Sequence, residues 1–141
     1  MASPVTRAQI DAIVHALAVV LPARTPADVV LKHYFRDNRS LGSRDRALVA
    51  DTVYSVLRRR RLLETLTPSA APRELALASL VKLQGVSIGQ LESLLKSSER
   101  NWLAELKARD MDALPFEVKA DLPDWVIERL RRRYADSEIL A

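Results

Sequence analysis

Apolar residues recur along the chain every three or four positions, the spacing that places them on one face of an α-helix. In the first such segment they fall within an arc of about 120°, since each residue turns a helix by about 100°. The members of this arc are Ile10, Ile13, Val14, Leu17, Val20 and Leu21. Pro22 ends this first helix, because proline lacks the N–H that a further turn needs.

A second helix is predicted to begin at Pro26, with Thr25 as its N-cap. Thr25 and Pro26 are residue types preferred at an N-cap and at the first helical position, and Asp28 adds an acid to the first turn. We expect this helix to end near Asn38. Its buried face comprises Val30, Leu31, Tyr34 and Phe35.

A third helix is predicted to run from Ser43, as its cap, towards Leu66. Its inner face comprises Val49, Val53, Val56, Leu57 and Leu63. A loop follows, because Thr67-Pro68 and Pro72 interrupt the helical pattern.

Further helices are predicted beyond this loop. Residues 73–84 form a short apolar helix that Gly85 ends as a C′ residue. Ser87 and Gln90 have the spacing of a capping box ahead of Leu91, Leu94 and Leu95.

The last third of the chain continues the helical pattern. Trp102, Leu103 and Leu106 indicate either one more helix or a continuation after a break near residues 97–98. Residues 110–121 have no regular pattern, and a last helix is predicted from about Pro123 to Tyr134. No segment alternates as strands do, so we predict an all-α bundle of six or seven helices.

The 141 residues are enough for one domain with its own core, because 48% of them are hydrophobic. We assign residues 1–135 to this helical domain. Residues 136–141 begin like a capped helix and then stop. They are interpreted as the first turn of a linker helix towards a further, absent domain.

Composition removes several classes of function. The chain has no cysteine, which excludes disulfides, thiolate metal sites and a cysteine nucleophile. Its three glycines cannot form a glycine-rich phosphate loop, and 5% aromatic residues are too few for the stacking sheet of an RRM-type domain. His15 and His33 have no partners at ligand spacing, so we expect neither a metal nor a catalytic histidine.

No signal peptide is recognisable, and no apolar run approaches the ~20 residues of a membrane span. We therefore expect a cytoplasmic protein with no membrane association.

The charge is unevenly distributed. Residues 32–61 carry nine basic and three acidic side chains, whereas residues 62–141 carry 11 basic and 13 acidic ones. A basic segment of this kind indicates a polyanionic partner, because the guanidinium fork can bond two phosphate oxygens at once. The predicted phosphate-binding residues are Lys32, Arg36, Arg39, Arg44, Arg58 and Arg61. The alternative is an ordinary solvated surface with local ion pairs to Asp45, Asp51 and Glu64.

On this third helix Arg44, Arg58 and Arg61 share the solvent side across about four turns. On the same helix Arg46 and Arg60 point towards the core side. We therefore expect each of them to snorkel, to pair with an acid or to lie where the helix ends.

Trp125 lies off the apolar arc of the last predicted helix, beside Arg129 and Arg132. These three residues form a candidate surface for a base, a partner or an adjoining domain. In the alternative interpretation, Trp125 packs against the preceding irregular segment.

Two blocks of sequence carry a resemblance to a known family. Residues 26–63, with PADVVLKHYFR, LGSRDRALV and VYSVLRRRRLL, resemble the N-terminal domain of the Sun (RsmB/NOP) family of RNA cytosine-C5 methyltransferases. The segment LPDWVIERL at 122–130 resembles the end of that domain. The domain is in turn similar to the antitermination factor NusB, an all-helical RNA-binding protein.

The resemblance implies a NusB-like accessory domain that positions RNA, expected to be ribosomal RNA, for a C-terminal methyltransferase domain in cis. The family's chemistry requires S-adenosylmethionine and two cysteines, so this cysteine-free chain is expected to bind no cofactor and to catalyse nothing alone. NusB contacts RNA through an arginine-rich N-terminus. Residues 1–31 hold only Arg7 and Arg24 as basic residues, so RNA contact is expected from the segment between Lys32 and Arg61. The alternative function is a protein-docking module of the NusB type, in which Trp125 would matter more than the arginines.

Overall fold

The computed structural model describes residues 5–109, and within this range the fold is all-helical with no strand. Seven α-helices follow one another in residues 5–109, in agreement with the predicted all-α bundle of six or seven helices. They are α1 (Arg7–Val20), α2 (Ala27–Asp37), α3 (Ser43–Arg58), α4 (Arg60–Leu66), α5 (Pro72–Ala78), α6 (Ile88–Leu91) and α7 (Ser97–Ala108). A π-turn (Ser79–Leu83) extends α5, and a 3₁₀-turn (Glu92–Leu94) extends α6.

Helix α1 lies at the centre of the bundle, against α2, α3 and α5. Ile13 and Leu17, from its predicted arc, are completely buried, whereas Val14 and Leu21 at the edges of the arc are half-buried. The helix begins with a capping box, because Thr6 Oγ1 accepts from the Gln9 N–H at 3.1 Å and Gln9 Oε1 accepts from the Thr6 N–H at 3.0 Å.

Helix α2 begins with Pro26 at the N-cap, one position later than predicted. Val30 and Leu31 are buried, and Tyr34 and Phe35 are half-buried against the core. The Tyr34 hydroxyl donates to the Ala12 carbonyl at 3.1 Å, which joins α2 to α1.

The prediction of one helix from residue 43 to residue 66 is wrong, because the chain breaks at Arg59 into α3 and α4. Arg59 has φ −122° and ψ 33°, outside helical values. On a continuous helix Leu62 would face the same side as Arg44, the solvent side, since 18 residues make five full turns at about 100° per residue. In the structure Leu62 is completely buried. The break thus turns the apolar residues of α4 into the core.

Helix α5 ends in a π-turn. The Gln84 N–H donates to the Ser79 carbonyl and the Val86 N–H to the Leu80 carbonyl, both at 2.9 Å. Gly85 adopts φ +75°, a left-handed conformation that glycine accommodates without a Cβ clash, so its predicted role at this helix end is confirmed.

The π-turn is joined to α3 by side chains. The Ser79 hydroxyl donates to Gln84 Oε1 at 2.8 Å, and Gln84 Nε2 donates to Thr52 Oγ1 at 3.1 Å. Both hydroxyl residues are completely buried. These bonds satisfy polar groups that would otherwise be costly inside the core.

The second half of the bundle contains α6 and α7, which contact each other. Ser87 and Gln90 form the predicted capping box of α6, and α7 is a separate helix rather than a continuation. Leu103 and Leu106 of α7 are buried, whereas Trp102 is half-buried.

Residues 110–141 lie outside the described part of the chain. The predictions for the last helix, for the boundary at residue 135 and for residues 136–141 fall in this segment. Among the described helices, none combines the length and apolar character that crossing a membrane requires.

Candidate nucleic-acid interface

The six predicted phosphate-binding residues form what we call the basic face, and they lie on three successive helices. Lys32 and Arg36 belong to α2, Arg39 to the link between α2 and α3, and Arg44 and Arg58 to the two ends of α3. These five residues are exposed. The sixth, Arg61 on α4, is half-buried, because the break at Arg59 changes the orientation that a continuous helix would have given it.

A short link brings part of the basic face together. Asn38 ends α2 by donating from Nδ2 to the Tyr34 carbonyl at 2.8 Å, and four residues later Gly42 is the N-cap of α3. This link places Arg36, Arg39 and Arg44 around one turn of the chain, and we call these three residues the turn cluster. Lys32 lies one helical turn before Arg36 and on the same side of α2.

Arg58 and Arg61 lie at the junction of α3 and α4, and we call them the junction cluster. From Arg44 to Arg58 the helix rises about 21 Å at about 1.5 Å per residue. The sequence-predicted residues therefore form two clusters at opposite ends of α3 rather than one compact patch.

Arg46 and Arg60 both avoid the core, one in the first turn of a helix and the other beside an acid. Arg46 is exposed because it lies in the first turn of α3, ahead of Val49, the first buried residue of that helix. Arg60 is also exposed, and its Nε lies 3.6 Å from Glu64 Oε1 in an i,i+4 ion pair. Neither side chain enters the core.

Two acidic residues near the turn cluster, Asp37 and Asp45, have different surroundings. Asp37 is exposed, whereas Asp45 is half-buried and connects helices. Its Oδ1 accepts from Gln9 Nε2 at 2.9 Å, and its Oδ2 accepts from the Gly42 N–H at 3.3 Å. Asp45 thus has a structural role at the start of α3 and at its contact with α1.

Arg36 has one partner on its own helix. Its Nη2 lies 2.7 Å from His33 Nδ1, so the guanidinium donates to the ring nitrogen. A guanidinium has five N–H donors in all. Arg36 therefore keeps donors that can reach a ligand phosphate.

Tyr54 is a residue of this surface that the charge pattern did not reveal. It lies on α3 between the two clusters, and 39% of it is exposed. Its neighbours Val53 and Val56 are completely buried, which turns Tyr54 outwards. Around the axis of α3, Tyr54 lies only about 40° from Arg58. This proximity was the sequence signal that could have identified Tyr54 as part of the surface.

The α5–α7 side of the bundle contains a two-point ion pair between Arg73 and Glu99. Arg73 on α5 donates from Nε to Glu99 Oε2 at 2.8 Å and from Nη2 to Glu99 Oε1 at 3.2 Å. Arg73 Nη2 also donates to the Leu94 carbonyl at 3.0 Å. The hydrogen bond from Arg73 holds the pKa of Glu99 below its usual value, against the effect of burial, and the same bond raises the pKa of Arg73.

A cleft of about 420 Å³ adjoins this ion pair. Its lining includes Arg7 and Asp11 from α1, Arg73, and the segment 93–96. Basic and acidic side chains both face it, so its charge is mixed, unlike that of the basic face.

No grouping of metal-ligating side chains occurs in the described part of the chain. Trp125, Arg129 and Arg132, the candidate partner surface, lie outside the described residues. Comparisons of the chain with protein-family models, with curated proteins and with solved structures found no match. The interpretation below therefore depends on the residues of this chain.

Proposed function

We propose that this chain is an RNA-binding, NusB-like accessory domain that positions ribosomal RNA for a cytosine-C5 methyltransferase. The observation that supports this function is the basic face, in which five of the six predicted residues are exposed along α2, its link and α3. The all-helical bundle agrees with the resemblance of residues 26–63.

The distribution of the cations favours contact with a polymer. Two clusters about 21 Å apart along α3 can each bind phosphates of one nucleic acid strand. Phosphate contacts of this kind position a ligand without reading its sequence. We therefore assign the domain a role in holding RNA rather than in choosing the target base.

In this proposal the chain itself has no catalytic step and no cofactor. S-adenosylmethionine and the covalent chemistry on the pyrimidine belong to a methyltransferase domain that follows in cis and receives the RNA.

The test is a titration of the purified chain with labelled RNA at two salt concentrations. Binding is expected at ~50 mM salt and should weaken steeply by ~200 mM, because each neutralised phosphate releases counterions. The double variant Arg39→Glu/Arg58→Glu changes one exposed residue of each cluster. We expect it to lower the affinity by at least about 10-fold, through lost phosphate contacts and new repulsion.

A matched control reverses the same number of charges elsewhere. Arg7→Glu/Lys96→Glu alters two exposed cations beside the mixed-charge cleft. It changes the net charge by the same amount as the test variant, and it is expected to leave RNA affinity within about 2-fold, because salt screens charges that lie far from the bound phosphates. Far-UV circular dichroism checks that both variants are folded. Absence of binding at ~50 mM salt, or an equal loss in both double variants, would overturn the proposal.

A further inference from the structure

Tyr54 is an exposed aromatic residue that lies on α3 between the two clusters of the basic face. It is one of three large hydrophobic residues exposed in the described part of the chain, with Val19 and Val29. Its hydroxyl makes no hydrogen bond with another residue in the range 5–109. The ring is therefore available to a ligand on its outer side.

The helix holds this ring in a defined place. Val53 and Val56, on either side of Tyr54 in the sequence, are completely buried, and α3 packs against α1, α5 and the π-turn. A tyrosine side chain has few rotatable bonds, so little conformational entropy is lost when a ligand covers it. The Tyr54 ring therefore has a defined place before a ligand binds.

A cation accompanies the ring. Arg58 follows Tyr54 by four residues, so the two side chains are neighbours on the surface of α3. Arg58 is exposed and makes no hydrogen bond or ion pair with the rest of residues 5–109. An aromatic ring beside an arginine is the combination that binds a stacked base and its adjoining phosphate.

We propose that Tyr54 stacks on an unpaired base while Arg58 binds the neighbouring phosphate, so that the RNA bound here is single-stranded. A duplex does not fit this arrangement, since the faces of its internal bases are covered by their neighbours and its sequence edges lie in grooves. The inference rests on the RNA binding proposed above and names the class of RNA.

The experiment compares two labelled probes, a 12-nucleotide oligoadenylate and an RNA duplex of 12 base pairs, at one salt concentration. The single strand is expected to bind more tightly. Tyr54→Ala should weaken its binding by about 10-fold, as for the loss of one stacked base. Tyr54→Phe, which keeps the ring and removes the hydroxyl, should remain within about 2-fold of the unchanged chain.

Two further measurements separate stacking from a general effect. Duplex binding should be the same for Tyr54→Ala and the unchanged chain, and so should the dependence of affinity on salt, because the phosphate contacts are intact. Val19→Ala removes an exposed apolar side chain from α1 and serves as the matched control; it should have no effect on either probe.

The outcomes distinguish this inference from the proposed function. If Arg39→Glu/Arg58→Glu weakens binding but Tyr54→Ala does not, the stacking role is wrong and RNA binding stands. Equal losses for single strand and duplex in Tyr54→Ala, or a loss in Tyr54→Phe as large as in Tyr54→Ala, would also overturn it. If neither probe binds the unchanged chain, both proposals fail together.

Discussion

On the α5–α7 side of the molecule Arg73 directs its guanidinium inwards, whereas on the α2–α4 side Arg39 and Arg58 are exposed to solvent. Arg73 makes two hydrogen bonds to Glu99 and one to the Leu94 carbonyl. Arg39 and Arg58 make none with other residues in the range 5–109. The same side chain thus joins two helices in one region and is available to a ligand in the other.

The difference arises from the partner and not from the arginine. Glu99 lies in the first turn of α7 with its side chain only 10% exposed, and it also accepts from the Lys96 N–H at 2.9 Å. The three donors offset the cost of burying this carboxylate. Removing one donor group would leave part of that cost uncompensated. Within residues 5–109 no buried carboxylate bonds to Arg39 or Arg58, so the number of charges alone does not assign a role to an arginine.

The largest expected effect tests the inward arginine. Arg73→Ala should lower the free energy of unfolding by about 2–4 kcal/mol, because it leaves the carboxylate of Glu99 buried with fewer donors. Urea denaturation followed by circular dichroism measures this change. A loss below ~0.5 kcal/mol, the level of an exposed pair, would show that Arg73 stabilises the fold no more than an exposed arginine does.

A smaller effect should depend on pH. The pKa of Glu99 is lowered from 4.5 in the folded chain, so its ionised form stabilises the fold above about pH 4.5. This contribution is lost as the pH falls through the lowered folded value. Glu99→Gln should therefore be less stable than the unchanged chain by about 1–2 kcal/mol at neutral pH, and the difference should shrink as the pH falls through the lowered folded pKa. A difference that is constant with pH would show that ionisation of Glu99 contributes nothing.

The smallest effects are expected at exposed arginines. Arg100 Nη1 lies 3.3 Å from Glu92 Oε1, but the two side chains are 44% and 63% exposed. Arg100→Ala should change the free energy of unfolding by less than about 0.5 kcal/mol, since solvent screens such pairs. Arg58→Ala should also remain within about 0.5 kcal/mol, and the same urea titrations measure both. A loss of 2 kcal/mol or more at Arg58 would indicate a structural role and would count against its availability to RNA.

Local signals predicted much of the fold. Gly85 and the Ser87–Gln90 capping box were predicted correctly because each depends on the chemistry of a few adjacent residues. The inner face of α1 was predicted because burial of a central helix follows its apolar period. The all-α class was predicted because the helical period of apolar residues recurs in each segment.

The break at Arg59 could not be predicted in the same way. Residues 58–61 are all arginine, and arginine is a good helix former, so nothing local ends the helix there. The break arises because Leu62 must be buried among residues from other parts of the chain. Its consequence for the basic face is that Arg61 is half-buried while Arg60 is exposed.

The amino-acid sequence by itself determined the all-α class, the Ser87–Gln90 capping box, the role of Gly85 and the concentration of positive charge between residues 32 and 61. These features depend on residue type and near-neighbour spacing. Only the tertiary structure decided how the arginines are used. It separated the basic face into two clusters at the ends of α3, and it joined Arg73 to Glu99 across 26 positions of sequence. The physical reason is that burial and hydrogen-bond partners come from packing between helices, which no local pattern contains.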